Sequence, residues 1–200
     1  MTVPISQVLS LSALNALARS RGWPLCADGE GLFYLPETRA VCALWRSKAV
    51  DGHPPPRSEM SARLLKPYLR LILIHERVPA ADGHRYRSRL MGESVAEMIG
   101  EASGKFYEEY LTPEMVRMWS AMAEAVFVHG GPVRFLVRAD GFAKMKLAGE
   151  IFAAPMLTAE GRPDLLLSAG RFSEAWSWDE LAAHWQHDMA SSHGTAVWMS

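Results

Sequence analysis

The chain predicts an α+β domain: a five-stranded antiparallel sheet with flanking helices, plus helical extensions at both ends. Two strand patterns precede a block of short helical segments, and three more follow one long helix. Turn signals, not crossover helices, join neighbouring strands, which selects antiparallel pairing. All of this lies between Leu69 and Phe172.

Ahead of the sheet, Val8, Leu9, Leu11, Leu14, Leu17 and Ala18 recur near a period of 3.6 and are followed by Arg19, Arg21 and Gly22, an amphipathic helix with its stop. Trp23 to Pro36 reads as irregular, punctuated by Pro24, Gly29, Gly31 and Pro36. A second helix is expected over Glu37–Ala49, with Val41, Leu44 and Trp45 on one side. It ends before Pro54-Pro55-Pro56, which cannot continue a helix and mark a hinge. The first strand is expected at Leu69–Ile74, closed by His75, Glu76 and Arg77. After the turn Ala81-Asp82-Gly83, the second strand alternates Arg85, Arg87 and Arg89 onto one face.

Glu93–Ile99 reads as a short helix stopped by Gly100, and Lys105–Tyr110 as a further helical turn. Thr112-Pro113-Glu114 opens the long helix with a capping hydroxyl, a proline at the first position and an acid in the first turn; His129-Gly130-Gly131-Pro132 ends it. Val133, Phe135 and Val137 then alternate with Arg134 and Arg138. Beyond Ala139-Asp140-Gly141, Met145, Leu147 and Ile151 alternate with Lys144, Lys146 and Glu150, predicting a hairpin with one wet and one buried face. The last strand is expected near Leu165–Phe172, and Ser177-Trp178-Asp179-Glu180 announces a final helix carrying Leu181, Trp185 and Met189. The domain plan is therefore an N-terminal helical extension and proline-rich hinge over 1–57, the sheet domain over 58–172, and a Trp-rich helix and tail over 173–200.

A hydrophobic content of 49% over 200 residues supports a sizeable core. A formal net charge of −1 gives no electrostatic pull toward nucleic acid or anionic lipid, so neither partner is expected. Cys26 and Cys42 form no CxxC or Cys/His cluster, which argues against a disulfide framework and a zinc site. No apolar run approaches the roughly 18 residues of a membrane span, and the basic residues near the N-terminus follow the apolar run instead of preceding it. A cytoplasmic, unanchored protein is expected.

The order of these elements, with certain local words, resembles the PAS domain, and more narrowly the stand-alone PAS family common in alphaproteobacteria. Its members show a Trp-Arg word in an early helix, a Pro-x-Arg word, and an Arg-Leu-x-Gly word closing the second strand. Here these are Trp45-Arg46, Pro55-Pro56-Arg57 and Arg89-Leu90-Met91-Gly92, followed by Gly100, Ser103-Gly104-Lys105, Gly130-Gly131-Pro132 and Ala154-Pro155-Met156. The resemblance covers about residues 40 to 172. Glu93 stands in place of a small hydroxyl residue and Ser61 in place of a proline.

The resemblance implies a non-catalytic sensor or regulator in signal transduction, acting through a protein partner, with a cavity between sheet and long helix. The alternative is a small-ligand-binding or enzymatic domain using the same cavity. Met115, Met118, Trp119, Met122, Phe127, Phe135 and Ile151 would line that cavity for an apolar ligand; such a stripe is more commonly packed core. No cofactor is identified. A flavin photosensor of the LOV type needs a Cys in the helical block, and both cysteines precede the first strand; haem needs an axial ligand, and His129 sits at the very end of the long helix.

Gly100–Lys105 is too short for a phosphate loop and is followed by Phe106 where a hydroxyl should stand, and no HExxH or Gly-x-Ser-x-Gly occurs. Adjacent Glu108 and Glu109 point apart, which does not suit acid/base work. His184, His187 and Asp188 read as a solvated helix face, without a metal, and the arginine-rich strand as a solvent face. Trp176, Trp178, Trp185 and Trp198 crowd the end of the chain and must be covered by the sheet or another chain, so Trp176, Trp178 and Trp185 are the expected contacts of a homodimer or partner protein.

Overall fold

The computed structural model describes residues 9–29, 32–139 and 147–195. Six strands form one antiparallel sheet in the order β1-β4-β5-β6-β2-β3, with six α-helices around it. The strands are β1 Leu25–Asp28, β2 Ile72–Ala80, β3 Gly83–Met91, β4 Val133–Ala139, β5 Leu147–Met156 and β6 Leu165–Ser173. The helices are α1 Leu11–Arg21, α2 Pro36–Lys48, α3 Ala62–Leu65, α4 Glu93–Ile99, α5 Pro113–His129 and α6 Trp178–Thr195.

The expectation of five strands is corrected by β1, which pairs Leu25–Asp28 with Arg134–Val137 at the sheet edge. A four-residue strand between Pro24 and Gly29 is too short to show alternation, and its ladder comes entirely from a partner more than a hundred residues away. The first expected strand also shifts. Leu69–Leu71 close a 3-10 turn begun at Lys66-Pro67, and β2 runs on through His75, Glu76 and Arg77. His75 and Glu76 stay in the ladder because β3 and β6 flank them, Glu76 lying opposite Arg87 and Leu165, and Arg77 pairs with Tyr86 of β3 while its N–H donates to Asp164 O. A bulge at Ile74/His75 leaves Arg89 as the extra residue of β3, so Ser88 meets His75 while Leu90 meets Ile74 on the opposite face.

The helix ends follow their local chemistry. Ser10, Ser61 and Thr112 cap α1, α3 and α5 by accepting the N–H groups of Ala13, Leu64 and Met115. Gly130 ends α5 in the left-handed region at φ 77°, its N–H donating to Val126 O.

Both faces of the sheet are covered. On the inner face Val133, Phe135, Val137, Ile151 and Leu166 pack against α5 and α1, joined by Met118, Met122 and Val126. On the outer face Ile72, Ile74, Phe152, Met156 and Leu167 meet Val41, Cys42 and Trp45 of α2 together with Met60. The expected wet face of the β4–β5 hairpin is therefore corrected: Arg134 and Glu150, read as solvent-facing, are 0% and 1% exposed.

Each buried charge has partners. Arg134 Nε donates to Asp28 Oδ2 at 2.8 Å, a second guanidinium nitrogen donates to Leu32 O, and the guanidinium lies 4.5 Å from the Tyr34 ring centroid. The Glu150 carboxylate accepts the N–H groups of Tyr34 and Leu35 and the Thr38 hydroxyl at 2.7, 2.9 and 2.6 Å, capping α2, whose own cap residue Leu35 has no side-chain acceptor. Met145, Lys144, Lys146 and the Asp140-Gly141 turn lie outside the described residues, as does Trp198.

Candidate ligand-binding site

Between the inner face of the sheet and α4, the Tyr107 turn and the start of α5 lies a cavity of about 50 Å³. β2 supplies Leu73 and His75, β5 Ile151, β6 Ser168, Gly170 and Phe172, and α4 Val95, Met98 and Ile99; Tyr107, Tyr110, Leu111 and Trp119 close the other side. Alternation explains the strand residues, each of which is two positions from the next inward one. The walls are largely apolar, and His75, Tyr110 and Ser168 bring polar groups to them.

His75 is 6% exposed and stands edge-on to Tyr107 with ring centroids 5.3 Å apart. Burial lowers its pKa from 6.5 to about 4, so the imidazole is neutral at pH 7. The hydroxyls of Ser88 and Tyr110 lie 2.8 Å apart, with Ser88 Oγ 3.5 Å from His75 Nδ1. Tyr107 stacks on Tyr86 at 5.5 Å, and burial raises the pKa of both phenols; the Tyr86 hydroxyl also donates to Glu124 of α5. The result is a small site of neutral hydrogen-bonding groups set in apolar walls.

Of the seven residues expected to line the cavity, Trp119 and Ile151 do so. Met118, Met122 and Phe135 lie nearer α1 and fill the core, Met115 is half-buried in the first turn of α5, and Phe127 lies under the Arg77 guanidinium at 4.1 Å. Sequence reasoning missed His75, Tyr110 and the α4 residues. Extending the alternation of Leu73 by one inward step would have found His75, and the apolar side of α4 would have found Val95 and Met98.

Trp176, Trp178 and Trp185 are half-buried, and Trp185 Nε1 donates to the buried Asp28 at 2.9 Å. The arginines of β3 are locally matched: Arg87 and Arg89 pair with Glu76, and Arg85 pairs with Glu108 while lying 3.9 Å from the Phe106 ring centroid. Asp188 accepts the Tyr34 hydroxyl at 2.5 Å. Among the described residues no group of three or more His, Cys, Asp or Glu is placed to hold a metal ion, and no helix is long and apolar enough to cross a membrane.

The local words have physical jobs. Trp45 Nε1 donates to Pro155 O at 2.8 Å, fastening α2 to β5, and Arg57 donates to Met60 O at 2.5 Å, closing the turn after the prolines. Gly92 donates to Ile72 O, and a side chain there would collide with the Leu69 and Arg70 carbonyls. Ser61, in the place of a proline, caps α3, and Glu93 pairs with Arg70 at 3.0 Å.

No curated protein matches the chain. A solved structure described as that of an RNA-binding Light-Oxygen-Voltage receptor is similar at 19% identity and a TM-score of 0.37. The match covers 68% of this chain and 40% of the receptor chain, so this chain spans less than half of that receptor's length. The sequence pattern of the PAS domain matches residues 34–169, which is more than half of the chain and holds every wall of the cavity except Gly170 and Phe172; the chain belongs to the PAS domain family of sensor and signalling domains.

Proposed function

We propose that the chain is a cytoplasmic signalling domain that binds a small, mainly apolar molecule carrying a hydrogen-bonding group and reports it through protein contacts. The observation that carries this reading is the neutral, buried His75 at the wall of an otherwise apolar cavity, beside the Tyr110 and Ser88 hydroxyls. A neutral imidazole can donate from one ring nitrogen and accept at the other, so it reads a ligand hydroxyl or carbonyl without demanding charge.

Binding without catalysis is the favoured reading, because the cavity lining holds no carboxylate or thiol to work with the imidazole. Neither haem nor LOV-type flavin is proposed. Cys26 lies on β1, where burial pushes its thiol up to about 11, and Cys42 lies on α2 across the sheet; His129 stands exposed beside Gly29, away from the cavity. A homodimer through the half-buried Trp176 and Trp178 is the proposed route of output.

Native mass spectrometry and an absorption spectrum of the purified full-length protein test the ligand: a retained small molecule lost in His75→Leu supports the reading, and a protein that neither retains nor takes up any apolar compound from a library sinks it. Light scattering across a concentration series tests the dimer, which a strictly monomeric mass overturns.

A further inference from the structure

On the outer face of the sheet, across from the cavity, lies a second hollow of about 290 Å³. It is formed by Tyr34 and Leu35 ahead of α2, Glu150 of β5, Trp176, and Leu181 and His184 of α6. Its volume sits at the lower end of the roughly 300–1,000 Å³ typical of small-molecule sites.

The charge pattern is unusual. Glu150 is 1% exposed, and its three hydrogen-bond donors are two backbone N–H groups and a hydroxyl, none of them cationic. An ionised carboxylate offers about four acceptor positions, so one remains open. Nearby, Arg134 is matched by Asp28, while Asp188 adds a second carboxylate whose hydrogen bond comes from the neutral Tyr34 hydroxyl. Among the described residues no ion pair involves Glu150: Arg171, opposite it on β6, pairs with Glu37, and the N-terminus of α2 faces the carboxylate, which keeps one open acceptor position behind walls of Tyr34 and Trp176. Tyr34 already accepts one cation over its ring, the Arg134 guanidinium.

An anion would be repelled by Glu150, and a neutral apolar molecule would leave its open acceptor position unfilled. A cation with apolar substituents meets both needs, its charge toward the carboxylate and its methyl or methylene groups on the aromatic faces. We propose that this hollow is a binding site for a small organic ammonium ion, held between Tyr34 and Trp176 with its charge toward Glu150. The site shares no residue with the inner cavity; its wall Trp176 is also a proposed dimer contact, so binding is read at concentrations where light scattering shows the monomer.

Choline serves as the probe and 3,3-dimethylbutan-1-ol as its neutral isostere, with binding to the full-length protein read from amide chemical shifts at Tyr34, Leu35 and Leu181. The site predicts saturable shifts with choline and affinity at least tenfold weaker for the alcohol. Trp176→Leu weakens choline at least fivefold, and Leu181→Trp, which fills the hollow and leaves Glu150 and Tyr34 in place, abolishes binding. Equal affinity for the two probes, no shift with either, or unchanged choline binding in a folded Leu181→Trp protein overturns the proposal.

Discussion

The two faces of one sheet bury polar groups by opposite means. On the inner face His75 is buried by shedding its charge, its neighbours being aromatic rings and hydroxyls. On the outer face Arg134 and Asp28 pair with each other, and Glu150 is held by N–H and hydroxyl donors. A neutral wall can accept a ligand with little electrostatic rearrangement; a matched ion pair resists any change. The difference assigns adaptability to the inner face and anchoring to the outer one.

The largest effect expected from breaking this contrast is at Arg134. Arg134→Ala leaves Asp28 charged and buried and should cost about 3–5 kcal/mol in urea unfolding, whereas Arg134→Met combined with Asp28→Leu should recover most of the loss. Next comes the pH response of the inner face. With the folded pKa of His75 lowered from 6.5 to about 4, the unfolded chain takes up the proton first as pH falls. The contribution is fully present above pH 6.5 and is lost on the way down to about pH 4, about 3 kcal/mol in all. His75→Leu should flatten that part of the stability–pH curve, and an unchanged curve would refute neutral burial. Glu150→Ala strips three donors of their acceptor and should cost about 2 kcal/mol, read in the same urea titration. Trp45→Phe keeps the ring packing and removes one hydrogen bond to Pro155 O, for about 1 kcal/mol. The exposed pair Arg70–Glu93 lies outside both faces, and Arg70→Ala should move stability by less than about 1 kcal/mol.

Local signals were legible wherever the chain carried its own punctuation. Glu93–Ile99 forms the expected helix between Gly92 and Gly100, and Pro113–His129 runs from a Thr-Pro start to the left-handed Gly130. What was illegible depended on partners remote in sequence. β1 exists because β4 lies beside it, and Arg134 and Glu150 look like solvent positions until α2 and the segment before it cover them. Alternation tells which face a residue takes, never what lies over that face.

The cavity lining escapes the sequence for a related reason. By sequence Met115, Met118, Trp119, Met122 and Phe127 of α5 read as one lining with Phe135 and Ile151, but the inner face has two tenants. α1 packs against α5, and Met118 and Met122 share one core cluster with Leu14 and Ala18, while Trp119 borders the space beneath α4. The true lining includes a polar strand residue, His75, that a search for apolar periodicity passes over.

The Glu150 cap has a consequence for the order of assembly. The carboxylate that completes the first turn of α2 comes from a strand 112 to 116 positions along the chain from the groups it accepts. α2 therefore gains its N-terminal stabilisation only after β5 has been placed, at the entropic cost of closing a loop longer than half of the chain. Substitutions at Thr38 or Glu150 should accordingly speed unfolding and leave the refolding rate nearly unchanged, the mark of a contact made after the rate-limiting step.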